Sequence, residues 1–365
     1  MLLRRSALPF LAALLILAAC RPIPTGTLLP DAPGGTSAAP FTVDFACTGG
    51  QPATVDAPDP FVYRWLDGAY YAFTTSGAFM PSVPVYKSTD LVTWRLAGPD
   101  GDNSGCPDGS AMPTLASWTQ YGCNWAPSVI DSGNPVAAHR FVMYYTARVN
   151  GQGTCPGPGL QCVGIAYSAH ADGPYADPYS QPRLCQSSRG GTIDASPFAD
   201  LGGKRYLLYK SEDSAIWSSE LTQYGQVIGA PHVLLTLASG PAWEQPRIEG
   251  PTMIRTASGL FLFYSAGNWA TDGYKVGVAR CDTPLGPCRR VYSTPVLQSR
   301  SAMVGPGGET PFTDTGGQWR MAFHAWQSPK VGYTPNPFDP NNGQRSLRLL
   351  KLFFDGPGGN PRISN

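Results

Sequence analysis

The chain has 365 residues, 26 Lys and Arg against 25 Asp and Glu, and a formal net charge of +1. Only 14% of residues are charged and, Arg4 and Arg5 aside, no Lys/Arg cluster occurs beyond Arg289-Arg290, so nothing here would steer a polyanion and nucleic acid is excluded as a partner. With 11% aromatic residues, 42 Gly and 37 Pro, the composition suits an all-β protein with many turns that handles a neutral ligand such as a carbohydrate.

At the N-terminus, Arg4 and Arg5 precede an apolar run from Ala7 to Ala19, too short to span a membrane, which reads as a secretory signal over residues 1–19. Leu17-Ala18-Ala19-Cys20 is similar to a bacterial lipobox. That resemblance implies cleavage before Cys20, lipidation of its thiol and a chain anchored on an extracytoplasmic membrane face; an ordinary cleaved signal is the plainer alternative. Residues 20–45 read as a flexible tether, rich in Pro, Gly, Ala, Thr and Ser as far as Pro40, and residues 46–365 as one domain.

Setting Cys20 aside leaves eight cysteines, enough for four disulfides in an oxidising compartment. Short Gly/Pro-rich loops favour Cys155 with Cys162 and Cys281 with Cys288, then Cys106 with Cys123, which leaves Cys47 with Cys185. No Cys-x-x-Cys pair occurs and His139, His170, His232 and His324 are scattered, so no zinc site is expected.

From Asp59 onward a short pattern restarts at intervals of roughly 60 residues: an acidic or aromatic residue, a Pro within three positions, an apolar run, a turn and a Tyr/Phe-rich strand. It occurs as Asp59-Pro60, Trp125-Ala126-Pro127, Asp194-Ala195-Ser196-Pro197, Glu249-Gly250-Pro251 and Glu309-Thr310-Pro311. Inside the first unit, Phe61-Val62-Tyr63-Arg64-Trp65 turns at Asp67-Gly68 into a strand from Ala69 to Thr75, and Val83 to Trp94 supplies an outer pair. The later units repeat this with runs such as Arg140 to Thr146, Arg205 to Lys210, Leu260 to Ser265 and Trp319 to Trp326. No sustained helical period follows residue 20. Five units of several strands each predict a five-bladed β-propeller of four-stranded antiparallel blades, rather than a β-sandwich, with the unit starts gathered at one mouth of the axis.

These motifs, in this order, resemble glycoside hydrolase family 43, over a span from about Val55 to Pro361. The resemblance implies five-bladed propellers that hydrolyse arabinosyl and xylosyl linkages. Carried over position by position, it makes Asp59 the general base, Glu249 the general acid, Asp194 the aspartate that tunes and orients the acid, and Trp125 a wall of the sugar pocket. Phe61, Glu309 and Arg345 complete the expected substrate-binding set. Plainer readings stand beside these: Asp59 as a turn starter, Glu249 as a loop residue, Asp194 as a turn cap, Trp125 as core, Glu309 as a lid on the axial channel, Arg345 as a partner of carboxylates at blade ends, and His324 as a core or rim histidine.

Inverting hydrolysis asks for a protonated carboxyl on the leaving oxygen and an ionised one on water, about 6.5–9.5 Å apart. No cofactor is expected. The family's axial calcium is in doubt, because Gly308 in Gly305-Pro306-Gly307-Gly308 stands where its histidine would be, leaving only Glu309 as a ligand. The expected function is an inverting glycosidase on α-L-arabinofuranosyl linkages, with xylosyl linkages next, working as a monomer; a chain that ends soon after the fifth unit is more like the arabinan-directed members. The alternative is an inactive carbohydrate-binding surface lipoprotein. Retaining fructan hydrolases share the scaffold, but Ala57-Pro58-Asp59-Pro60-Phe61 lacks their Asn residues.

Overall fold

Aromatic and β-branched runs separated by Asp-Gly and Gly-Gly turns fold into successive hairpins, and in the computed structural model these hairpins stack into five sheets. Described are residues 38–364, apart from 52, 77–81, 101–103, 154–156 and 337–338; the signal, Cys20 and most of the tether lie outside them. The first sheet holds β1 (Thr42–Asp44), β2 (Phe61–Arg64), β3 (Tyr70–Phe73), β4 (Val85–Ser88) and β5 (Thr93–Leu96). The second holds β6 (Thr119–Asp131), β7 (Phe141–Gly153) and β8 (Gly159–Ser168). The third comprises β9 (Thr192–Ala199), β10 (Arg205–Ser211), β11 (Ala215–Leu221) and β12 (Val227–Thr236), and the fourth β13 (Ile248–Thr256), β14 (Gly259–Ala266), β15 (Lys275–Cys281) and β16 (Cys288–Arg290). The fifth is β17 (Met303–Thr313), β18 (Trp319–Gln327), β19 (Arg345–Phe353) and β20 (Arg362–Ser364). The architecture is the expected all-β five-bladed propeller.

Two blades depart from the four-stranded pattern. In the second, the outer edge is reduced to isolated bridges, Val163 to Leu184 and Tyr167 to Ala176. In the first, β1 adds a fifth strand parallel to β5. The segment read as the end of the tether is therefore built into the domain: Val43 is fully buried, and Phe41 meets the rings of Tyr86 and Trp94 edge-on at 5.8 Å. The Phe41 N–H donates to Leu347 O of the fifth blade, so these few apolar residues latch the first blade to the last.

Each interface between neighbouring blades has its own apolar cluster. Phe73, Met143 and Tyr145 fill the first, Tyr144, Leu207 and Tyr209 the second, Leu208, Leu262 and Tyr264 the third, Phe263, Met321 and Phe323 the fourth, and Tyr86, Trp94 and Leu347 the one that closes the ring. A domain larger than one core can sustain is stabilised by repetition of a small one.

The innermost strand of every blade breaks at the same level. Asp59, Ala126, Asp194, Gly250 and Gly308 all have positive φ, between 42° and 61°. In β6, β9, β13 and β17 the pairing register slips across these residues, the signature of a bulge. The bulge residues are equivalent around the ring, so the sequence alignment of the five units needs shifting: Trp125 and Glu249 stand one place before the bulge, and Glu309 one place after.

Of the expected disulfides, Cys281–Cys288 forms, its two cysteines facing each other across β15 and β16. The others are corrected. Cys162 bonds Cys185 rather than Cys155, because the bridge between Val163 and Leu184 brings those two strands side by side. Cys47 bonds Cys106 rather than Cys185, joining the turn after β1 to the loop after β5 across 59 residues of chain. Cys123 is therefore not the partner of Cys106; it too is disulfide-bonded, to a cysteine outside the described residues. Nearness in sequence selected the wrong partners where sheet pairing set the geometry.

Candidate functional site

The bulges turn three acidic side chains toward one mouth. Asp59 leads into β2 and keeps a quarter of its side chain exposed. Its backbone N–H donates to His324 Nδ1 at 2.9 Å, and its Oδ2 accepts from Thr75 Oγ1 at 2.7 Å. Thr75 in turn accepts the N–H of Ala126, beside Trp125, at 2.8 Å, which ties the first and second blades together at the mouth. Arg345 approaches Asp59 Oδ1 at 3.8 Å. Burial alone would raise the Asp59 pKa, but the Arg345 guanidinium and the Thr75 hydrogen bond outweigh it and hold the carboxyl below its ordinary value. His324 is wholly buried, which depresses its own pKa to about 3, and its Nδ1 accepts a hydrogen bond; it is a neutral ring that orients the Asp59 backbone, and Arg345 carries the positive charge.

Asp194 and Glu249 form the other half. Asp194 accepts the Gly250 N–H at 2.9 Å, fixing the backbone next to Glu249, and its own N–H donates to Thr146 Oγ1. Glu249 is nearly buried, accepts from Tyr274 Oη at 3.0 Å and lies 3.7 Å from Lys210 Nζ. Burial and the neighbouring Glu249 push Asp194 up to about 8. Burial likewise raises Glu249, against the pull of Lys210, Arg247 and the Tyr274 hydrogen bond. Two buried carboxyls this close titrate as a pair, and near neutral pH the pair keeps one proton. One ionised carboxylate therefore faces a proton-bearing pair, the arrangement general acid–base chemistry needs.

Arg345 is held from three sides. Its backbone N–H donates to Asp56 Oδ1 and its Nε donates to Tyr333 Oη, which donates to Asp56 Oδ2. The guanidinium lies 4.8 Å from the ring centre of Trp269, 5.4 Å from Tyr333 and 5.7 Å from Trp326. It is at once a partner of carboxylates and a wall of the mouth.

The other expected contacts fall differently. Trp125 flanks the mouth, half-buried, opposite Thr146. Phe61, two places beyond its bulge residue, lines a separate axial cavity of about 270 Å³ with Ser196, Thr252 and Thr310, which hold the same position in their blades. Glu309, one residue past the bulge, is buried rather than open to the mouth: it is 1% exposed, its Oε2 accepts from Ser265 at 2.6 Å, and burial lifts its pKa well above the usual range. An axial calcium would find few ligands among these residues. Glu309 Oε2 is engaged by Ser265, which leaves its Oε1 and His324 Nε2 as the buried atoms without a partner; a Cβ at Gly308 would meet His324 Nδ1 at 2.7 Å and Asp59 Cα at 2.9 Å, and no group of three potential ligands occurs among the described residues.

Sequence reading missed Thr75, Lys210 and Tyr274 and took His324 for core or rim. Each comes from a second or third strand, or the loop before it, and carries no local motif; a buried Lys or His in an apolar strand was the only signal available.

The family model described as glycosyl hydrolases family 43 matches residues 52–354. The chain is 24% identical over 277 residues to a β-D-galactofuranosidase of Aspergillus niger, covering 71% of this chain and 69% of that one. It is 26% identical over 289 residues to a probable arabinan endo-1,5-α-L-arabinosidase A of Aspergillus flavus, covering 74% and 80%. Its fold superposes on an endo-1,4-β-xylanase of Bacteroides thetaiotaomicron with a TM-score of 0.67 at 25% identity, over 86% of this chain and 95% of that one.

Proposed function

This chain belongs to glycosyl hydrolase family 43 and is a glycosidase; from that premise we propose that it is an inverting enzyme acting on α-L-arabinofuranosyl linkages, with xylosyl linkages second, in plant-type poly- or oligosaccharides. The observation that carries the reading is the opposition of protonation states at one mouth, Asp59 held low against an Asp194–Glu249 pair held high. In this reading Asp59 takes a proton from water as its oxygen attacks the anomeric carbon, while Glu249 gives its proton to the departing glycosidic oxygen. Asp194 holds the Gly250 N–H and disfavours ionisation of the acid. Arg345 and His324 keep Asp59 ionised and aimed, and Trp125 offers the sugar a flat apolar face. Each turnover leaves Asp59 protonated and Glu249 ionised, and exchange with solvent restores both.

Furanosyl linkages are put first because the two curated relatives named above carry arabinan and galactofuranoside in their names. The disulfides support an extracytoplasmic location, and no helix among the described residues is long and apolar enough to cross a membrane. A lipid anchor at Cys20 and a monomeric state complete the proposal. The test is hydrolysis of aryl α-L-arabinofuranoside, β-D-xyloside and β-D-galactofuranoside, with the anomer of the first product read by NMR. Inverted product from the arabinofuranoside is expected; retained configuration, or turnover of the galactofuranoside alone, would overturn the mechanism or the sugar respectively.

A further inference from the structure

On the face opposite the mouth, where the strands that run down from it end in hairpin turns, the turn tips of the first three blades are apolar and stand in solvent. Leu66 is 83% exposed, Val92 71%, Val136 55% and Leu201 89%. We infer that this face rests on a lipid bilayer, the membrane in which a lipidated Cys20 would be anchored, so that the mouth opens away from the lipid. The inference goes beyond the glycosidase reading and rests only on the anchor proposed with it.

Placement is the first ground. Leu66 follows β2, Val92 follows β4, Val136 follows β6 and Leu201 follows β9, all strands that run away from the mouth. The turns close without these side chains: Asp67 accepts the Ala69 N–H at 2.9 Å and Asp200 the Leu201 N–H at 2.8 Å, so the leucines beside them add only exposed apolar surface. In the fourth and fifth blades the equivalent tips are Ala257-Ser258 and Thr315-Gly316-Gly317, so the apolar tips gather on one side of the ring. Single exposed apolar side chains are ordinary, but four at one level of three consecutive blades form a band, and such a band marks a surface for a partner or a membrane.

The second ground is rigidity and charge. Half-buried Trp65 meets Phe141 edge-on at 4.6 Å, and the Arg140 guanidinium lies 4.6 Å from its ring centre, which joins the first blade's turn to the second's. Arg205 donates to Ser132 O at 2.8 Å and to Gln223 O, joining the turns of the second and third blades. The acids of these turns are neutralised: Asp67 pairs with Lys87 at 3.2 Å, Asp131 with Arg140 at 3.3 Å and Asp200 with Arg255 at 2.5 Å. Asp90 accepts the N–H groups of Val92 and Thr93 in its own turn. The exposed Arg64 and Lys204, near Leu66 and Leu201 in sequence, are in no ion pair among the described residues. Apolar tips flanked by free cations suit a bilayer that carries anionic lipid, the tips entering the headgroup layer and the cations meeting phosphates.

The path of the chain is the third ground. β1 lies parallel to β5, which runs from the Val92 turn toward the mouth, and Thr42 pairs with Thr93 next to that tip. The residues before β1 therefore arrive from the turn side. The Phe41 N–H donates to Leu347 O and Pro40 bridges Arg348, each step back along the chain being a step down β19, away from Arg345 at the mouth. Residues 21–37 span at most about 60 Å when extended, enough to reach a bilayer beneath the turns. A face tethered beside the lipid meets it at high local concentration, so shallow contacts from four tips suffice where they would not hold a free protein. A mouth turned outward then meets substrate too large to pass between the domain and the membrane.

The experiment prepares the mature chain from its own leader and, as the unanchored reference, as Cys20→Ser behind a cleavable secretory leader. Hydrogen exchange is followed with and without vesicles of phosphatidylethanolamine and phosphatidylglycerol in equal parts. In the acylated chain, vesicles are expected to slow exchange in the peptides around Leu66, Val136 and Leu201 and to leave those around Trp125 and Tyr333 unchanged. The double variant Leu66→Asp, Leu201→Asp should lose that slowing while the anchor still floats the protein with the vesicles, and its melting temperature should stay, since both side chains are exposed. Slowing at the mouth instead, or none at the turns, overturns the inference. Slowing that appears without vesicles and grows with protein concentration also overturns it, because a second copy would then cover the face. A mass without acyl chains sinks the anchor alone. In that case flotation of the unacylated chain, reduced about tenfold or more in the double variant by the loss of buried leucine surface, would keep the face, and no flotation would sink it too.

Discussion

Carboxylates stand at both ends of the inner strands, and the two ends treat them in opposite ways. In the hairpin turns beyond β9 and β17, Asp200 is paired with Arg255 at 2.5 Å and Asp314 with Arg320 at 2.8 Å, and each also accepts backbone N–H groups of its own turn. The Arg255 hydrogen bonds lower the Asp200 pKa; at Asp314 burial is the largest single influence and raises it, but the Arg320 bond and the turn N–H groups together outweigh it and the net shift is also downward. At the bulges, Asp194 and Glu249 have the same chemical group, less water and each other for company, and both are raised. The difference teaches that position along a strand decides whether an acid is a turn fastener or a proton carrier, through desolvation and the sign of the nearest charge. Asp59 lies between the two cases, at a bulge yet beside a guanidinium.

The hardest way to break the comparison is to remove the ionised member. Asp59→Asn is expected to lower kcat/KM by about 10³–10⁴ on every substrate, since no other ionised carboxylate can take its proton. Glu249→Gln should cost about as much on an oligosaccharide but at least roughly tenfold less on an aryl glycoside, whose leaving group departs without a proton. Equal losses on the two substrates for Glu249→Gln would show that it is not the acid. Steady-state kinetics on matched arabinosides makes the measurement.

A subtler break uses stability. Asp194 has a folded pKa of about 8 against an ordinary 3.8, so the folded protein binds the proton more tightly than the unfolded chain. The associated stabilisation is complete below the unfolded value and is lost as pH rises through the folded one. Asp194→Asn should therefore melt progressively higher than the unaltered protein as pH is raised from 4 toward 9, while its kcat falls by about a hundredfold. A melting difference that does not grow with pH would mean that Asp194 is ionised in the fold, like Asp200. The same pair sets the alkaline limb of the rate profile near 8, and the acid limb should lie below the usual carboxylate range because Asp59 is held low.

What the sequence made legible follows the same physics. A bulge that needs positive φ tolerates few residue types, so Asp59-Pro60, Asp194-Ala195 and Gly250-Pro251 stand out as punctuation. Strand runs between Gly turns gave the blades. An alignment by resemblance of residues was nonetheless off by one place at Trp125, Glu249 and Glu309, because what repeats from blade to blade is the bulge and not the residue type. Lys210, Thr75 and the Arg345 cage act across blades and Tyr274 acts from a loop of its own blade, and no local pattern encodes a contact such as that of Arg345 in the fifth blade with Asp59 in the first. The disulfides failed in the same way, since Cys47 and Cys106 meet only once β1 is laid against β5.

The smallest effect completes the comparison from the other side. Asp200 is about a quarter exposed and its pair with Arg255 is screened by water, so Asp200→Asn should destabilise by only about 0.5 kcal/mol, a melting shift of about 1 °C. Its folded pKa is depressed, so the contribution exists above the unfolded value and disappears as pH falls through the folded one, the reverse of Asp194. Melting curves of the two Asn variants against pH should therefore diverge from the unaltered protein in opposite senses, Asp194→Asn upward at alkaline pH and Asp200→Asn slightly downward above the carboxylate range, with kcat/KM untouched by the latter. Parallel curves would mean that the two ends of the strand do not differ in the way their geometry requires.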